Sequence, residues 1–239
     1  MTIVEKDMQI KSRQKSCAGA VASALMLAMA MALVAPGAAL MARATGEIGI
    51  TLVLGAADLS AWQPWKFFSE TRYTPVEIDG RRAVKAVSSG SASGYYRKMT
   101  IDLQQTPVLR WSWRVDNTIG EVDERSKEGD DYPARVYVIA AQPVFFWKTQ
   151  ALNYVWSSTQ PEESNWPNAY SNRAVMIAVR SGEGGLGKWQ DEERNVRSDF
   201  ERYFGKEVRY VDAVAFMTDT DNTGRQAVAY YGDIYFAER

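Results

Sequence analysis

The sequence predicts a mainly β protein, a single-domain sandwich or jelly roll that carries one surface helix. Three observations indicate this class. Short apolar or alternating runs are separated by clusters of glycine, asparagine, aspartate and proline, a pattern typical of sandwiches and jelly rolls. The chain lacks the regular alternation of strand and helix patterns that a parallel α/β sheet requires. Only one segment repeats its apolar residues with the helical period.

Nine runs have the length and period of β-strands. Along the fourth run, side chains should alternate between two faces, with Trp111 and Trp113 on one face and Arg110 and Arg114 on the other. We therefore expect these two tryptophans, together with Trp156, in the core. The predicted strands are residues 48–53, 82–88, 95–103, 108–115, 134–141, 153–157, 174–180, 210–218 and 226–236.

The segment with the helical period is predicted to form a surface helix near residues 189–204. Val196, Phe200 and Phe204 recur at intervals of four residues, which places them on one face of a helix. Acidic residues at 191–193 would then lie in the first turn, where the helix dipole favours negative charge. Gly205 would end the helix in the left-handed conformation.

The first 44 residues resemble a secretory leader. A basic, polar start precedes an apolar run over residues 17–42, and Ala42-Arg43-Ala44 fits the small-x-small cleavage rule. We therefore expect a signal peptide over 1–44 and a β-sandwich domain over 45–239. An uncleaved membrane anchor is the alternative, because the run is long enough to span a bilayer. In both cases the domain is expected outside the bacterial cytoplasm, either in the periplasm or extracellular, or anchored to the membrane facing the periplasm.

The composition excludes several kinds of chemistry. The chain has no histidine, and its single cysteine, Cys17, lies in the predicted leader. The domain therefore cannot hold a Ser-His-Asp triad, a Cys-His pair or a histidine-ligated zinc ion. The chain has 28 basic and 29 acidic residues, a balance that offers no electrostatic footprint for nucleic acid. Carboxylates, tyrosine, lysine and arginine remain for binding or catalysis.

A polar run at residues 219–224 is the sharpest short motif. Asp219, Asp221 and Asn222 place oxygen atoms at closely spaced positions before Gly224, and such a loop can wrap calcium. We therefore identify Asp219 and Asp221 as candidate calcium ligands. The run departs from an EF-hand loop, because it lacks a further alternating ligand and a glutamate at the right distance. The alternative is a polar turn that joins two strands.

A second polar group precedes the predicted strand at 134–141. Asp130 and Asp131 lie beside this strand, which carries Arg135, and the strand at 108–115 offers Arg114. Charges in an otherwise apolar strand need partners if they are buried. A structural Asp–Arg pair and a polar ligand-binding floor are both open alternatives. The full set of candidate ligand-binding residues is Arg114, Asp130, Asp131, Arg135, Asn153, Asp219, Asp221 and Asn222.

Tryptophan offers a further route to ligand binding, since amphipathic rings suit half-wet sites and can stack on sugars. Trp147 and Trp166 are predicted in loops, where they would be accessible to a ligand.

Several runs together resemble a bacterial family called domain of unknown function 3047. The matching runs include LRWSWRV at 109–115, GDDYPARVYV at 129–138, LNYVWSS at 152–158, MTDTDNTG at 217–224 and YGDI at 231–234. The resemblance implies an architecture similar to galactose-binding-like and other carbohydrate-binding jelly rolls. It supplies no catalytic residue, and fold analogy alone does not define a function.

Three functional hypotheses follow. The first is a non-catalytic secreted sandwich that binds a polar ligand, a glycan or envelope polysaccharide, with calcium as a candidate cofactor. The second is a polysaccharide-acting enzyme that uses carboxylates or a Tyr/Arg pair, which needs a cleft with suitably spaced groups. The third is a structural partner in an envelope assembly, which would expose an apolar patch of several hundred Å².

Overall fold

The computed structural model of this chain describes residues 50–54, 58–141 and 149–238, so the leader predicted over 1–44 lies outside the described residues. Within these ranges the chain forms thirteen β-strands and one α-helix. The elements are β1 (Ile50–Leu54), β2 (Gln63–Phe68), β3 (Arg72–Ile78), β4 (Arg81–Ser89), β5 (Ala92–Asp102), β6 (Val108–Val115), β7 (Ala134–Ala140), β8 (Gln150–Ser157), β9 (Asn165–Asn168), β10 (Ser171–Ser181), β11 (Gln190–Asn195), α1 (Val196–Phe204), β12 (Tyr210–Asp219) and β13 (Gln226–Ala237).

The first sheet has the strand order β11-β6-β13-β4-β3, and β1 also pairs with β13. All of these described pairings are antiparallel. The long strand β13 organises the sheet. One edge of it pairs with β6, and the other edge pairs first with β4 and then with β1.

The second sheet has the strand order β2-β5-β12-β7-β8-β10-β9. Its described pairings are antiparallel except for β8 and β10, which run parallel. The connection between β8 and β10 contains β9, which folds back along β10. Because β12 pairs antiparallel with β7, β12 ends beside the start of β7, and the loops at this end of the sheet meet there.

The core lies between the two sheets. Trp111 of the first sheet stacks on Tyr154 of the second with ring centroids 5.3 Å apart, and Trp113 meets Trp156 at 6.1 Å. All four side chains are almost completely buried. Aromatic pairs of this kind add about 0.5–1.5 kcal/mol each beyond their area burial. The structure thus confirms a mainly β, two-sheet sandwich and the predicted core positions of the tryptophans.

The predicted helix at 189–204 is wrong in its first part. Residues Gln190–Asn195 form the edge strand β11, which pairs with β6, and only Val196–Phe204 is helical. Asn195 caps this helix, since its Oδ1 accepts the Ser198 amide at 3.0 Å. Gly205 ends it with φ 67°, as expected. Among the described residues, no helix has the length and apolar character to cross a membrane.

Four described strands were not expected from the sequence, and they form the outer edges of the two sheets. They are β2, β3, β9 and β11. Pro64, Pro75 and Pro167 lie within the first three of these strands. Proline cannot donate a ladder hydrogen bond, so it is confined to sheet edges and obscures the strand pattern. The fourth strand is rich in charge, which also protects an edge.

Candidate functional site: a buried carboxylate cluster

The polar residues predicted from two separate runs meet at one end of the second sheet. β7 begins at Ala134, and the antiparallel strand β12 ends at Asp219, with Met217 opposite Arg135. The loop before β7 carries Asp130 and Asp131, and the turn after β12 carries Asp221 and Asn222. We call the group of Asp130, Asp131, Arg135, Asp219, Asp221 and Asn222 the carboxylate cluster.

Arg135 is the cation of this cluster, and only 4% of it is exposed. Its Nε donates to Asp219 Oδ1 at 2.7 Å, and its Nη2 donates both to Asp219 Oδ2 and to the Asp130 carbonyl. The guanidinium also lies 4.4 Å from the ring centroid of Tyr132. Of the two alternatives left open by the sequence, Arg135 therefore forms the structural Asp–Arg pair. It does not present a free cation to solvent.

Asp131 holds the turn that follows β12. Its Oδ1 accepts the backbone N–H of Asn222 at 3.1 Å, and its Oδ2 accepts that of Thr223 at 2.7 Å. A hydrogen bond from the Gly224 amide to the Thr220 carbonyl, 2.9 Å long, closes the turn. Gly224 has φ 67°, a conformation that favours glycine. The run at 219–224 is thus a polar turn, and the same turn brings its aspartates to the cluster.

Asp130 is buried and accepts hydrogen bonds from Asn168 Nδ2 at 3.2 and 3.4 Å. Burial raises the pKa of Asp130 to about 6. The Arg135 charge and the Asn168 hydrogen bond oppose this rise, while the neighbouring carboxylates of Asp131 and Asp221 add to it. Asp130 therefore titrates much closer to neutral pH than an ordinary aspartate.

Two residues of the site were not found by sequence reasoning. Asn168 bonds Asp130, and the Tyr170 hydroxyl lies 3.0 Å from Asn222 Oδ1. Burial raises the pKa of Tyr170 to about 12, with a further contribution from Asp130 and Asp221. Both residues lie around a short edge strand, β9, whose pattern the sequence does not reveal. The one signal nearby in the sequence was Trp166, which was predicted to lie in a loop.

Three carboxylates of the cluster have the spacing of metal ligands. Asp131, Asp219 and Asp221 each offer an oxygen atom, and these atoms lie within 4.8 Å of one another. Calcium binds oxygen at 2.3–2.6 Å, so two ligands on opposite sides of one ion are about 5 Å apart. Asp219 and Asp221 are the calcium ligands predicted from the sequence. The fold adds Asp131, which lies far from them along the chain, as a third candidate ligand.

Arg114 does not belong to the carboxylate cluster. It points outward from β6 in the first sheet, where it bonds Asp79 at 2.8 Å and Asp116 at 3.0 Å. Its guanidinium also lies 5.4 Å from the ring centroid of Tyr230. The grouping of Arg114 with Asp130, Asp131 and Arg135 in one candidate site was wrong, because Arg114 and Arg135 lie on different sheets.

Asn153 lies on β8 in the second sheet, opposite Tyr137 of β7, and is fully buried. Its Nδ2 donates to the Val175 carbonyl at 3.5 Å, and its Oδ1 has no hydrogen-bond partner among the described residues. Its hydrogen bond to Val175 leads to β10 and not to the carboxylate cluster. Asn153 is therefore placed within the sheet rather than at a ligand surface.

The two loop tryptophans have different outcomes. Trp166 is 97% buried on β9, with its ring near Tyr132 and its Nε1 donating to the Glu124 carbonyl. The expectation of an accessible stacking platform at Trp166 was wrong, because β9 folds this residue under the cluster loops. Trp147 lies outside the described residues.

The fold and the site together define a two-sheet β-sandwich domain with a cluster of aspartates around one buried arginine. The chain belongs to the family described as "Protein of unknown function (DUF3047)", whose model matches residues 60–235. This match confirms the resemblance found in the sequence runs. The sequence matches no curated protein at a significant level.

Several solved structures are similar to this chain at low identity. A family 11 carbohydrate-binding module from Clostridium thermocellum has 8% identity and a TM-score of 0.40, covering 80% of this chain and 96% of that one. A family 30 carbohydrate-binding module from Clostridium thermocellum has 11% identity and a TM-score of 0.41, covering 74% and 90%. The cellulose induced protein Cip1 has 10% identity and a TM-score of 0.46, covering 76% and 93%. With TM-scores this low, these similarities carry no argument about function.

Proposed function

We propose that this domain is a non-catalytic binder of a glycan or envelope polysaccharide, and that its carboxylate cluster holds a calcium ion that contacts the ligand. The observation that carries the proposal is the convergence of Asp131, Asp219 and Asp221 within 4.8 Å. The proposal also keeps the domain outside the cytoplasm, in the periplasm or the extracellular space, on the basis of the leader pattern in residues 1–44.

The charge balance of the cluster supports a cation. Four aspartates, at 130, 131, 219 and 221, surround one arginine, and Asp130, Asp131 and Asp219 are buried. Buried charges need compensation, and Arg135 is bonded to Asp219 on two of its nitrogens. A calcium ion coordinated by further lone pairs of the Asp131 and Asp219 oxygens, together with Asp221, would compensate the negative charge of the buried carboxylates.

The rim of the cluster supports a hydroxylated ligand. Asp221, Asn222, Asn168 and Tyr170 are only partly buried, so this side of the cluster meets solvent. Calcium takes six to eight oxygen ligands, which is more than three aspartates supply with one oxygen each. Sugar hydroxyls can fill the remaining positions, while the amides and the phenol at the rim hydrogen bond to neighbouring hydroxyls.

The test combines calcium binding with polysaccharide retention of the full-length chain. We expect calcium to increase retention on insoluble envelope polysaccharide, and we expect this increase to vanish in the Asp131→Asn/Asp221→Asn variant. Asp102→Asn is the control, because this aspartate pairs with Arg209 and lies on β5, outside the cluster. Retention that does not respond to calcium in the unmodified chain would overturn the proposed role of the cluster.

One observation favours a second function, a hydrolase that acts on polysaccharide through carboxylates. Burial raises the pKa of Asp130 to about 6, which brings this carboxyl group closer to the range of a general acid at neutral pH. The same experiment detects this function as new sugar ends released by substoichiometric protein and lost in Asp130→Asn. Absence of both retention and release would instead favour the third hypothesis, a structural partner in an envelope assembly.

A further inference from the structure

A polar groove lies on the outer face of the first sheet, with a cavity volume of about 440 Å³. This volume falls within the range of small-molecule sites. β6, β11 and β13 supply most of its walls, and the start of β4 supplies one corner. We call this the sheet groove, and its main polar lining residues are Arg81, Arg110, Asp191, Glu193, Asp233 and Tyr235.

A bulge in β13 shapes the sheet groove. The pairing of β13 with β6 shifts register between Tyr231 and Ile234, so Gly232 and Asp233 fall outside the regular ladder. Gly232 packs directly against β6, where a Cβ atom would collide with Ser112 Oγ. Bulges bend a strand and redirect its side chains. The groove therefore has a floor formed by close backbone packing, and the exposed Asp233 stands beside it.

Two ion pairs connect β11 to other walls of the groove. Arg110 Nε donates to Glu193 Oε2 at 2.7 Å, and Arg81 Nη1 donates to Asp191 Oδ1 at 2.8 Å. Arg81 also lies 5.3 Å from the ring centroid of Trp189, which supports its position. The side chains of Glu193 and Asp191 are 57% and 71% exposed. These pairs are thus oriented at the surface and accessible to a ligand.

The chemistry of the groove favours a neutral, hydroxyl-rich ligand. Glu192 bonds Arg180 and the Trp113 indole. Arg81 and Arg110, the two guanidiniums of the groove, are each paired with a carboxylate, so they offer little attraction to an anionic ligand. Guanidinium donors alternate with carboxylate acceptors, which suits vicinal hydroxyls that both donate and accept. The partly buried ring of Tyr235 adds an amphipathic surface suited to a half-wet site.

We propose that the sheet groove is a second binding site, independent of calcium, for a neutral oligosaccharide. It goes beyond the proposed function, because it lies on the other sheet, needs no metal ion and selects ligands by the absence of charge. Arg114 lies on the same outward face of β6 as Arg110. Arg114, which the sequence assigned to the ligand site, therefore lies on the same strand as the groove residue Arg110 and on the other sheet from the carboxylate cluster.

The test is calorimetric titration of the full-length chain in EDTA with neutral hexasaccharides of glucose, mannose and N-acetylglucosamine. A galacturonic acid hexasaccharide is the anionic control. We expect at least one neutral hexasaccharide to bind, the acidic one not to bind, and affinity to fall about tenfold or more in Arg110→Ala/Asp233→Ala. Arg209→Ala, an exposed arginine paired with Asp102 on the second sheet, should bind like the unmodified chain.

The variants separate this proposal from the role of the carboxylate cluster. Asp131→Asn/Asp221→Asn should keep the EDTA-resistant binding, even though it loses the response to calcium. Tyr235→Phe, which keeps the ring and removes the hydroxyl, provides a second groove variant and should weaken binding less than the double variant. The proposal is overturned if no neutral hexasaccharide binds in EDTA, or if the folded double groove variant binds as tightly as the unmodified chain.

Discussion

The carboxylate cluster and the sheet groove both contain arginine–carboxylate ion pairs, but the pair in the cluster is buried and the pairs in the groove are exposed. In the cluster, Arg135 has 4% side-chain exposure and is enclosed by aspartates. In the groove, the side chains of Arg81 and Arg110 are 43% and 28% exposed, with more exposed acidic partners. Breaking a buried ion pair leaves an uncompensated charge, whereas an exposed pair contributes little to stability. The first arrangement therefore maintains the fold, and the second leaves its groups available to a ligand.

The sharpest way to break this comparison is Arg135→Ala. Removal of the guanidinium leaves the buried carboxylate of Asp219 without its cation, which should lower the free energy of unfolding by about 3–5 kcal/mol. Urea unfolding followed by tryptophan fluorescence measures the loss. Arg209→Ala, which breaks the exposed pair with Asp102, is the control and should leave the free energy of unfolding almost unchanged. Equal effects of the two substitutions would show that burial does not distinguish these pairs.

The second prediction concerns pH and Asp130. Its pKa is raised to about 6 in the folded chain, against about 3.9 in an unfolded chain. Its stabilising contribution is therefore fully present below about pH 3.9 and is lost as the pH rises through about 6. Asp130→Asn mimics the protonated form. Its advantage in free energy of unfolding over the unmodified chain should rise from near zero at about pH 3.9 to about 3 kcal/mol above pH 6.

Unfolding of both chains in urea and EDTA, from pH 4 to 7.5, checks this dependence. The relevant quantity is the difference between the two chains at each pH, because Glu124 and Asp212 also have raised pKa values and titrate in both. Asp131, Asp221, Arg135 and Asn168 all face Asp130. A difference that stays constant over this range would contradict the assignment.

Calcium gives the third effect. An ion that binds only the folded chain should raise its stability by about 2.7 kcal/mol when its concentration is 100 times the Kd. Thermal unfolding with calcium or EDTA measures the shift, and Asp131→Asn/Asp221→Asn should remove it. The Arg110→Ala/Asp233→Ala variant should keep it, since the sheet groove shares no residue with the cluster. A calcium shift that survives in the cluster variant would place the ion elsewhere.

The smallest expected effect is the change in free energy of unfolding when an exposed arginine of the sheet groove is removed. Arg81→Ala and Arg110→Ala each break an exposed pair, so each should change the free energy of unfolding by at most about 1 kcal/mol. The same substitutions should weaken binding of the neutral hexasaccharide that binds best. Urea unfolding and calorimetry on the same samples compare the two quantities. A large loss of stability would mean that these arginines support the fold rather than a ligand.

The sequence predicted the interior of both sheets better than their edges. β6 was predicted with its observed bounds, because Trp111 and Trp113 alternate with polar residues over a solvated face. The outer strands β2, β3 and β9 each contain a proline, and β11 is charged along its length. Their strand conformation depends on a neighbouring strand rather than on their own pattern.

The candidate site could be predicted only in part for a related reason. Asp131 and Asp221 were both selected for their local context, but their convergence depends on the pairing of β7 with β12. The period-two alternation correctly predicted that Arg114 lies on the face of its strand opposite the tryptophans. It does not specify which sheet that strand joins. Asn168 bonds Asp130 because it lies on β9. The sequence of β9 has no recognisable strand pattern, so this contact could not be predicted.

The most direct test of the account is calorimetric titration of the full-length chain with calcium at pH 7.5. We expect one ion bound per chain, no binding at this site in the Asp131→Asn/Asp221→Asn variant, and binding by Asp102→Asn like that of the unmodified chain. If the unmodified chain binds no calcium, or if the folded cluster variant binds it equally well, the carboxylate cluster is not a calcium centre.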